Sequence, residues 1–580
     1  MSDNYEFTKS SIPQAIDDYS PYIDKQSNNY INDINGGVYT NNSLSLVTFD
    51  LGQIYNSSTF TDTNDLTLIV PVTMVAAYST GSATVAPSAG SAALLAIKNN
   101  FINLIHQGDL VVQGKTVEST QPFINAARNF QMLSEMSIND LRQLGPTLGF
   151  SESLDNHRSI VFSTSGAAGS RSGVGITNNR PYLNTTATIT GGLGGGETQI
   201  SYAAKQNNGV VNTALQQRIS RYVDVSGSNT VNNIVPTILS QTNLNNEFKP
   251  YYVQSGNYMI YYDYAVIKLN TLFDSLAKIG LVKRFDATIR LWFNTGAVNV
   301  PVSNPNTALD LSYNNTGNTF SNTCPFTINY LDVSGGVPNT TTNIVAGLFI
   351  NKPPTTSLAG INLSSSGASH NMPACRIYYS QIVVEPQKAI NYINENRNKK
   401  VVYKAFISNQ YNSQATSGGN FNALINSGIV HPTGILLIPY ISSTVSTGLG
   451  DYAWKSPFDT APSTGHPISL TNLQVTVGGK NVLQTTMFYT FEHFMQQVAR
   501  AESLTSSDFG ITTGLFGQAW WEYNRFYYVN IERSAIADKL QPRNINVSFT
   551  NNSQLAIDLL VFIFYSDEFN INVETGIVQK

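Results

Sequence analysis

From residue 44 onward apolar and polar positions alternate. Ser45, Val47, Phe49 and Leu51 fall on one side and Leu44, Leu46, Thr48 and Asp50 on the other, the period of a strand buried on one face. Residues 66–78 form a longer apolar run interrupted by Pro71. A proline cannot donate to a ladder, so this run is expected at an edge, at a bulge, or as two strands. Over residues 91–106 the period changes: Leu94, Leu95, Ile97, Phe101, Leu104 and Ile105 make a helical stripe that ends at Gly108, which predicts a core-facing helix. Further on, residues 258–264 and 287–293 read as strands flanking a helix-like stretch at 266–279. Residues 376–384 read as a strand stopped by Glu385-Pro386, and 387–397 as a short polar helix. Strand patterns resume at 401–406, 434–440, 526–529, 544–549 and 555–565, with a shorter helical stretch at 531–540. Many short strands, frequent turn residues and a few inserted helices predict an all-β chain of paired sandwiches.

The pattern also repeats. Val112-Gln-Gly-Lys-Thr-Val117 returns as Val477-Gly-Gly-Lys-Asn-Val482, and 477 − 112 = 365. Each copy follows an alternating run and bends at Gly-Lys, predicting strand, tight turn, strand. Each is followed by bulky residues at helical spacing. These are Phe123, Ala127, Phe130, Leu133 and Met136 in the first copy, and Phe488, Phe491, Phe494, Met495 and Val498 in the second. The strand, short helix, strand order of 258–293 also recurs at 526–549, in order though not in spacing. Three features in one sequence point to duplication of a whole unit. The expected division is an arm over 1–40, a first sandwich over 41–386, a linker helix over 387–400 and a second sandwich over 401–580. Residues 164–250, rich in Gly, Ser, Asn and Thr, are expected as a long loop excursion from the first sandwich. Such an insertion is cheap in closure entropy, about 0.6 kcal/mol per doubling of length. The polar arm is expected to order only against a neighbour or the body of the protein.

Composition narrows the function. The 580 residues are 41% hydrophobic but only 12% charged. About a quarter is usual. Asn, Thr, Ser and Tyr fill the difference, so the surface hydrogen-bonds while carrying little field, and many copies can pack without accumulating repulsion. A net charge of −4 argues against coating a polyanion, and no sequence-specific nucleic-acid binding is expected. Two cysteines, Cys324 and Cys375, without a CxxC spacing argue against a disulfide framework or a structural zinc site and fit a reducing compartment. The polar start Met-Ser-Asp-Asn-Tyr-Glu has no signal-peptide core, and the apolar run 555–565 is short, contains Asp558 and suits a buried strand.

Candidate chemistry is sparse. Gly114-Lys115-Thr116 invites a phosphate-loop reading, but Asp109 stands where the Walker pattern needs glycine, and Lys115 precedes a strand rather than a helix N-terminus. The glycine run at 191–196 has no following Lys-Ser/Thr and reads as a loop. The histidines at 106, 157, 370, 431, 466 and 493 are scattered, and a packed or capping role suits His493 better than metal binding. Neither cysteine has an informative partner, and no GxSxG occurs. Paired carboxylates for glycoside hydrolysis can be distant in sequence, so that reading stays open. Its best candidate is Trp520-Trp521-Glu522, aromatics beside an acid that would grip a sugar; the alternative is a core cluster with Phe516, Tyr523, Phe526 and Tyr527. No catalytic, cofactor or metal residue is assigned.

A polar arm, an apolar strand, the stretch Leu95-Ala-Ile-Lys-Asn-Asn-Phe-Ile-Asn-Leu-Ile105, the turn motif 110–117, Tyr261-Tyr-Asp-Tyr264, Ile289-Arg-Leu-Trp-Phe293 and the strand 376–384 follow one another before a second unit. Together they resemble the double jelly-roll major capsid proteins of virophages and polinton-like viruses, over roughly residues 40–570. The resemblance implies two tandem eight-stranded jelly rolls with short inserted helices, standing perpendicular to a shell. It implies a homotrimeric capsomer of hexagonal outline that tiles an icosahedral double-stranded DNA virus, an arm reaching beneath neighbouring capsomers, and no enzyme activity. It also implies residence in the virion, with penton and minor or cement proteins as partners. The duplication fits, since two units per chain in three chains give pseudo-sixfold symmetry. The rival is a glycan-binding or glycan-cleaving β-sandwich spike or adhesin, which requires an exposed aromatic platform at Trp520 and Trp521 beside Glu522.

Overall fold

Sixteen strands in two runs of eight organise the computed structural model of the chain. It describes residues 23–41, 43–54, 58–85, 91–98, 100–150, 158–162, 174–178, 221–225, 240–301, 308–310, 324–332, 343–355, 357–368, 372–416, 418–425, 428–442, 457–458, 468–483, 488–499, 501, 514–518, 521, 525–531, 544–553 and 556–580. The first run is β1 (Ile23–Asn32), β2 (Leu44–Asp50), β3 (Thr67–Thr80), β4 (Ile105–Val112), β5 (Lys115–Ser119), β6 (Tyr258–Lys268), β7 (Ala287–Asn294) and β8 (Arg376–Val384). The second is β9 (Lys399–Ala415), β10 (Asn420–Ile425), β11 (Pro432–Ile441), β12 (Leu470–Val477), β13 (Lys480–Asn481), β14 (Tyr527–Asn530), β15 (Ile545–Asn551) and β16 (Ile557–Ile571).

The two runs pair identically. One antiparallel sheet of the first half runs β1-β8-β3-β6, and its counterpart in the second half runs β9-β16-β11-β14. The facing sheets run β2-β7-β4-β5 and β10-β15-β12-β13. In each half, therefore, the first, eighth, third and sixth strands face the second, seventh, fourth and fifth, which is the jelly-roll order. The alternation seen in the sequence does the burying. Val47 and Phe49 meet Leu291 and Ile289 across β2 and β7, and Phe421 stacks on Phe549 across β10 and β15 at 4.7 Å. The two cores merge into one apolar cluster.

Helices stand where the chain leaves the sheets. α1 (Ile124–Glu135) and α2 (Ile138–Leu148) follow β5, α3 (Asp274–Ile279) lies between β6 and β7, α4 (Pro386–Glu395) joins the halves, and α5 (Phe491–Ala499) follows β13. The Glu385 side chain accepts from the Gln387 and Lys388 amides and Pro386 opens the first turn, which is why α4 starts there.

Five expectations change. Residues 91–106 are not a helix: Ser91–Ile97 is a strand paired with Phe326–Asp332, Asn100 at φ 74° breaks it, and a single 3-10 turn at Phe101–Leu104 leads into β4. A short apolar run fits either period, and a partner strand distant in sequence decides it. Pro71 lies in an interior strand rather than at an edge. One side of β3 passes from β8, at Thr67–Ile69, to the strand Asn343–Ile350, at Val72–Ser79, so the missing amide falls at the handover, where the Pro71 carbonyl accepts Asn351 N (3.0 Å). The helical stretch expected at 266–279 begins later, since β6 continues to Lys268. The excursion expected at 164–250 is docked at its end, where Leu244 is buried and Phe248 packs on the same cluster as Tyr264. Within the segment read as an arm, residues 23–32 form β1, paired along its length with β8. Residues 532–540 of the helix expected at 531–540, and the glycine run at 191–196, lie outside the described residues.

Candidate functional site

The repeated motif forms two equivalent hairpins. Gln113 (φ 47°) and Gly114 (φ 75°) turn β4 into β5, and Gly478 (φ 57°) and Gly479 (φ 78°) turn β12 into β13. Two successive positive φ angles make the type I′ turn that matches strand twist. Lys115 serves packing here: its ammonium donates to the Val578 carbonyl (3.2 Å), beside Gln113 Nε2 donating to the Thr575 carbonyl (3.1 Å). Both acceptors belong to the C-terminal tail of the second half.

That contact is the margin of a larger joint between the halves. α1 inserts into the second half, where the Phe130 ring lies 5.3 Å from Tyr528, 5.6 Å from Phe458 and 6.0 Å from Phe516, Phe526 and Phe564. Two residues before Phe130, Arg128 is buried. It donates to Glu118 Oε1 (3.1 Å), Gln131 Oε1 (2.7 Å), the Leu272 carbonyl (3.2 Å) and, across the joint, the Lys404 carbonyl (3.4 Å), with its guanidinium over the Phe406 ring at 5.7 Å. Glu118, 2% exposed, also accepts the Asp274 and Ser275 amides at the start of α3 (3.3 and 3.0 Å). Burial pushes its carboxyl up to about 7, against the opposing pull of Arg128 and Ser275. Asp274 in turn accepts the Lys404 amide (2.8 Å).

The tail closes the joint from the other side. Lys580 Nζ donates to the Val117 carbonyl (2.9 Å), to Tyr403 Oη (3.0 Å) and to Asp567 Oδ2 (2.9 Å). The Lys283 amide donates to Val573 O (2.8 Å), and a Cβ on Gly576 (φ +71°) would sit 2.5 Å from the Arg284 carbonyl oxygen. Val573 shares a small apolar cluster with Phe60, Leu281, Ile382 and, from α4, Ala389 and Tyr392.

The other sequence candidates are dispersed. His106 is buried edge-on to Phe123 at 5.5 Å, and burial lowers its pKa to about 4. His493 Nδ1 accepts the Thr490 amide (3.2 Å) at the start of α5, a capping role. His157, His370 and His466 lie outside the described residues. Cys324 and Cys375 are buried thiols, and desolvation raises that of Cys375. Among the described residues no three His, Cys, Asp or Glu side chains gather as a metal site would require, and no helix is long and apolar enough to cross a membrane. Trp521 is 1% exposed, donates Nε1 to the Phe526 carbonyl (2.7 Å) and packs with Tyr489, Phe494 and Tyr527. It is part of the core cluster and not of a sugar platform; Trp520 and Glu522 lie outside the described residues. A groove of about 650 Å³ beside Ile429, His431 and Tyr565 holds Asp567 and Glu568, but Lys580 occupies the first and Lys400 the second (2.8 Å). The joint residues were not singled out in the sequence, because Glu118 and Arg128 meet Ser275 and Lys404 only in the fold. The one available signal was Glu118 standing where the second copy has Leu483 (483 − 118 = 365).

The strand order defines the class: an all-β chain of two tandem jelly rolls. No family model matches the sequence, and no curated protein matches it. Among solved structures, the chain is similar to one in the Sputnik virophage structure determined by cryo-EM, at 12% identity and a TM-score of 0.46, covering 98% of this chain and 90% of that one. It is similar to the mavirus major capsid protein at 9% identity and a TM-score of 0.41, with 95% and 89% covered. To the Faustovirus major capsid protein the values are 9% and 0.41, with 97% and 93% covered.

Proposed function

We propose that this chain is a major capsid protein, a homotrimeric capsomer of six-sided outline that tiles the icosahedral shell of a double-stranded DNA virus. The observation that carries the reading is the duplication itself, two jelly rolls of identical strand order fused and locked side by side in one chain. Jelly rolls are a recurrent solution for shells, and a fused pair supplies two of six similar positions, so three chains complete a ring. The low charge density favours dense packing of copies for the reason given above. In this reading the protein resides in the virion and meets neighbouring capsomers, penton and minor or cement proteins. The sandwiches divide at α4, and no residue has a catalytic, cofactor or metal role. The burial of Trp521 supports a structural role over glycan binding.

Native mass spectrometry of the purified chain tests this. With a chain mass of 63.3 kDa, three copies weigh 3 × 63.3 = 189.9 kDa, and that species is expected to dominate at micromolar concentration. A monodisperse 63.3 kDa monomer contradicts the proposal.

A further inference from the structure

The two halves of the chain carry equivalent elements, but among the described residues only one of each pair is covered. α1 and α5 follow their hairpins at the same offset: 488 − 123, 493 − 128 and 498 − 133 all equal 365. They share a phase as well. Asn129 of α1 points into its own half, donating to Asn103 Oδ1 (3.0 Å), and Phe494, at the same offset, points into its own half against Phe526 at 5.0 Å. Yet α1 buries ten of its twelve residues, because its outer face fills the second half, whereas α5 buries only Phe494 and Val498. Phe123 is 7% exposed and Phe488, its counterpart, 63%.

The receiving surfaces show the same asymmetry. In the second half, β9 takes α1 and α3 through Lys404 and Phe406, and among residues 401–411 only Val402 is exposed. In the first half, the corresponding strand β1 leaves seven of its ten residues exposed. Tyr30, 50% exposed, stands on it beside Tyr378 (5.5 Å), with the Arg376 guanidinium 4.6 Å over its ring. The described residues thus carry one completed joint and the two unmatched sides of a second.

We propose that a second copy of this chain completes it: the outer face of α5, with Phe488, Glu492, Met495 and Gln496, seats on the β1–β8 face around Tyr30 and Arg376 of the next copy. The inference rests on the self-assembling reading above and assigns its surfaces. The contact is head-to-tail, so each copy gives one side and receives the other, and a closed ring leaves neither open. It differs chemically from the joint within the chain. His493 replaces Arg128 and Leu483 replaces Glu118, so the buried ion pair that fixes the fused halves has no equivalent between copies. The charges offered are instead Glu492 on one side and Arg376 on the other, both at the surface of the patch.

Phe488→Asp and Tyr30→Asp, each on the full chain, test the assignment by mass photometry, with thermal melts to establish folding. If either fails to fold, Gln496→Arg or Asn28→Arg takes its place. Each variant alone is expected to lose assembly at least tenfold while melting cooperatively. An equimolar mixture retains one intact donor face and one intact receiver face, on different chains. It is expected to stop at pairs of 2 × 63.3 = 126.6 kDa. Variants that assemble like the wild type, or a mixture that stays monomeric or closes into full rings, overturn the assignment while leaving self-assembly standing. A wild type that does not assemble overturns both.

Discussion

At the scale of single residues, the joint between the halves depends on a charge pair in an unfavourable place. Arg128 and Glu118 are both withdrawn from water, and each is tolerable only because the other, with the α3 amides and two carbonyls, satisfies it. Above about pH 7, where Glu118 is ionised, Arg128→Ala leaves its carboxylate buried without a counter-charge and is expected to cost about 3–5 kcal/mol, read as a lowered denaturation midpoint. Arg128→Met combined with Glu118→Leu, which installs the leucine the second copy already uses, is expected to recover most of that loss. The pH dependence follows from the raised carboxyl. The folded state holds a proton on Glu118 that the unfolded chain releases from about 4.5 upward, so this group's contribution to stability declines as pH rises from about 4.5 to about 7. The difference amounts to something on the order of 3 kcal/mol. Melts of wild type and Glu118→Gln across that window are expected to converge at the acid end, with the wild type falling behind toward neutral pH. Parallel curves contradict this account of Glu118.

Elements were legible where their pattern was local and obscured where a distant partner set it. The hairpins at Gly114 and Gly479, the helices after them and the strands β2, β6, β7 and β8 follow from alternation and turn residues alone. Ser91–Ile97 does not, because seven small and apolar residues fit a helix as well as a strand until Phe326–Asp332 pairs with them. Pro71 misleads for a related reason: the rule that proline sits at edges holds for each neighbouring strand separately, and here two neighbours meet at it. β1 was hidden in a polar segment because most of its residues face outward. The tail after β16 shows how closely one element can be fitted to another. Gly576→Ala puts a methyl group into the Arg284 carbonyl and a side chain into a left-handed conformation, costing about 1–3 kcal/mol. Hydrogen exchange at residues 573–580 is expected to accelerate in this variant while the β12–β13 hairpin keeps its protection.

At the scale of the whole molecule, duplication followed by divergence explains both halves of the architecture. In the first half the strand Asn343–Ile350 pairs with β3 and widens its sheet, and the helix Gln241–Asn246 packs through Leu244 on the apolar cluster over that sheet's outer face. The helix after the fifth strand buries ten of its twelve residues in the first half and two of nine in the second, and the proposed contact between copies rests on that asymmetry. None of the catalytic motifs considered in the sequence comes together in the described residues. What does come together is the pair of sandwiches, one already docked on the other. Two-dimensional class averages of the purified protein in the electron microscope decide whether it forms the proposed capsomer. Particles with a six-sided outline and threefold symmetry are expected, the two kinds of lobe alternating around a ring. Isolated two-lobed particles at every concentration, or rings of another symmetry, contradict the proposal.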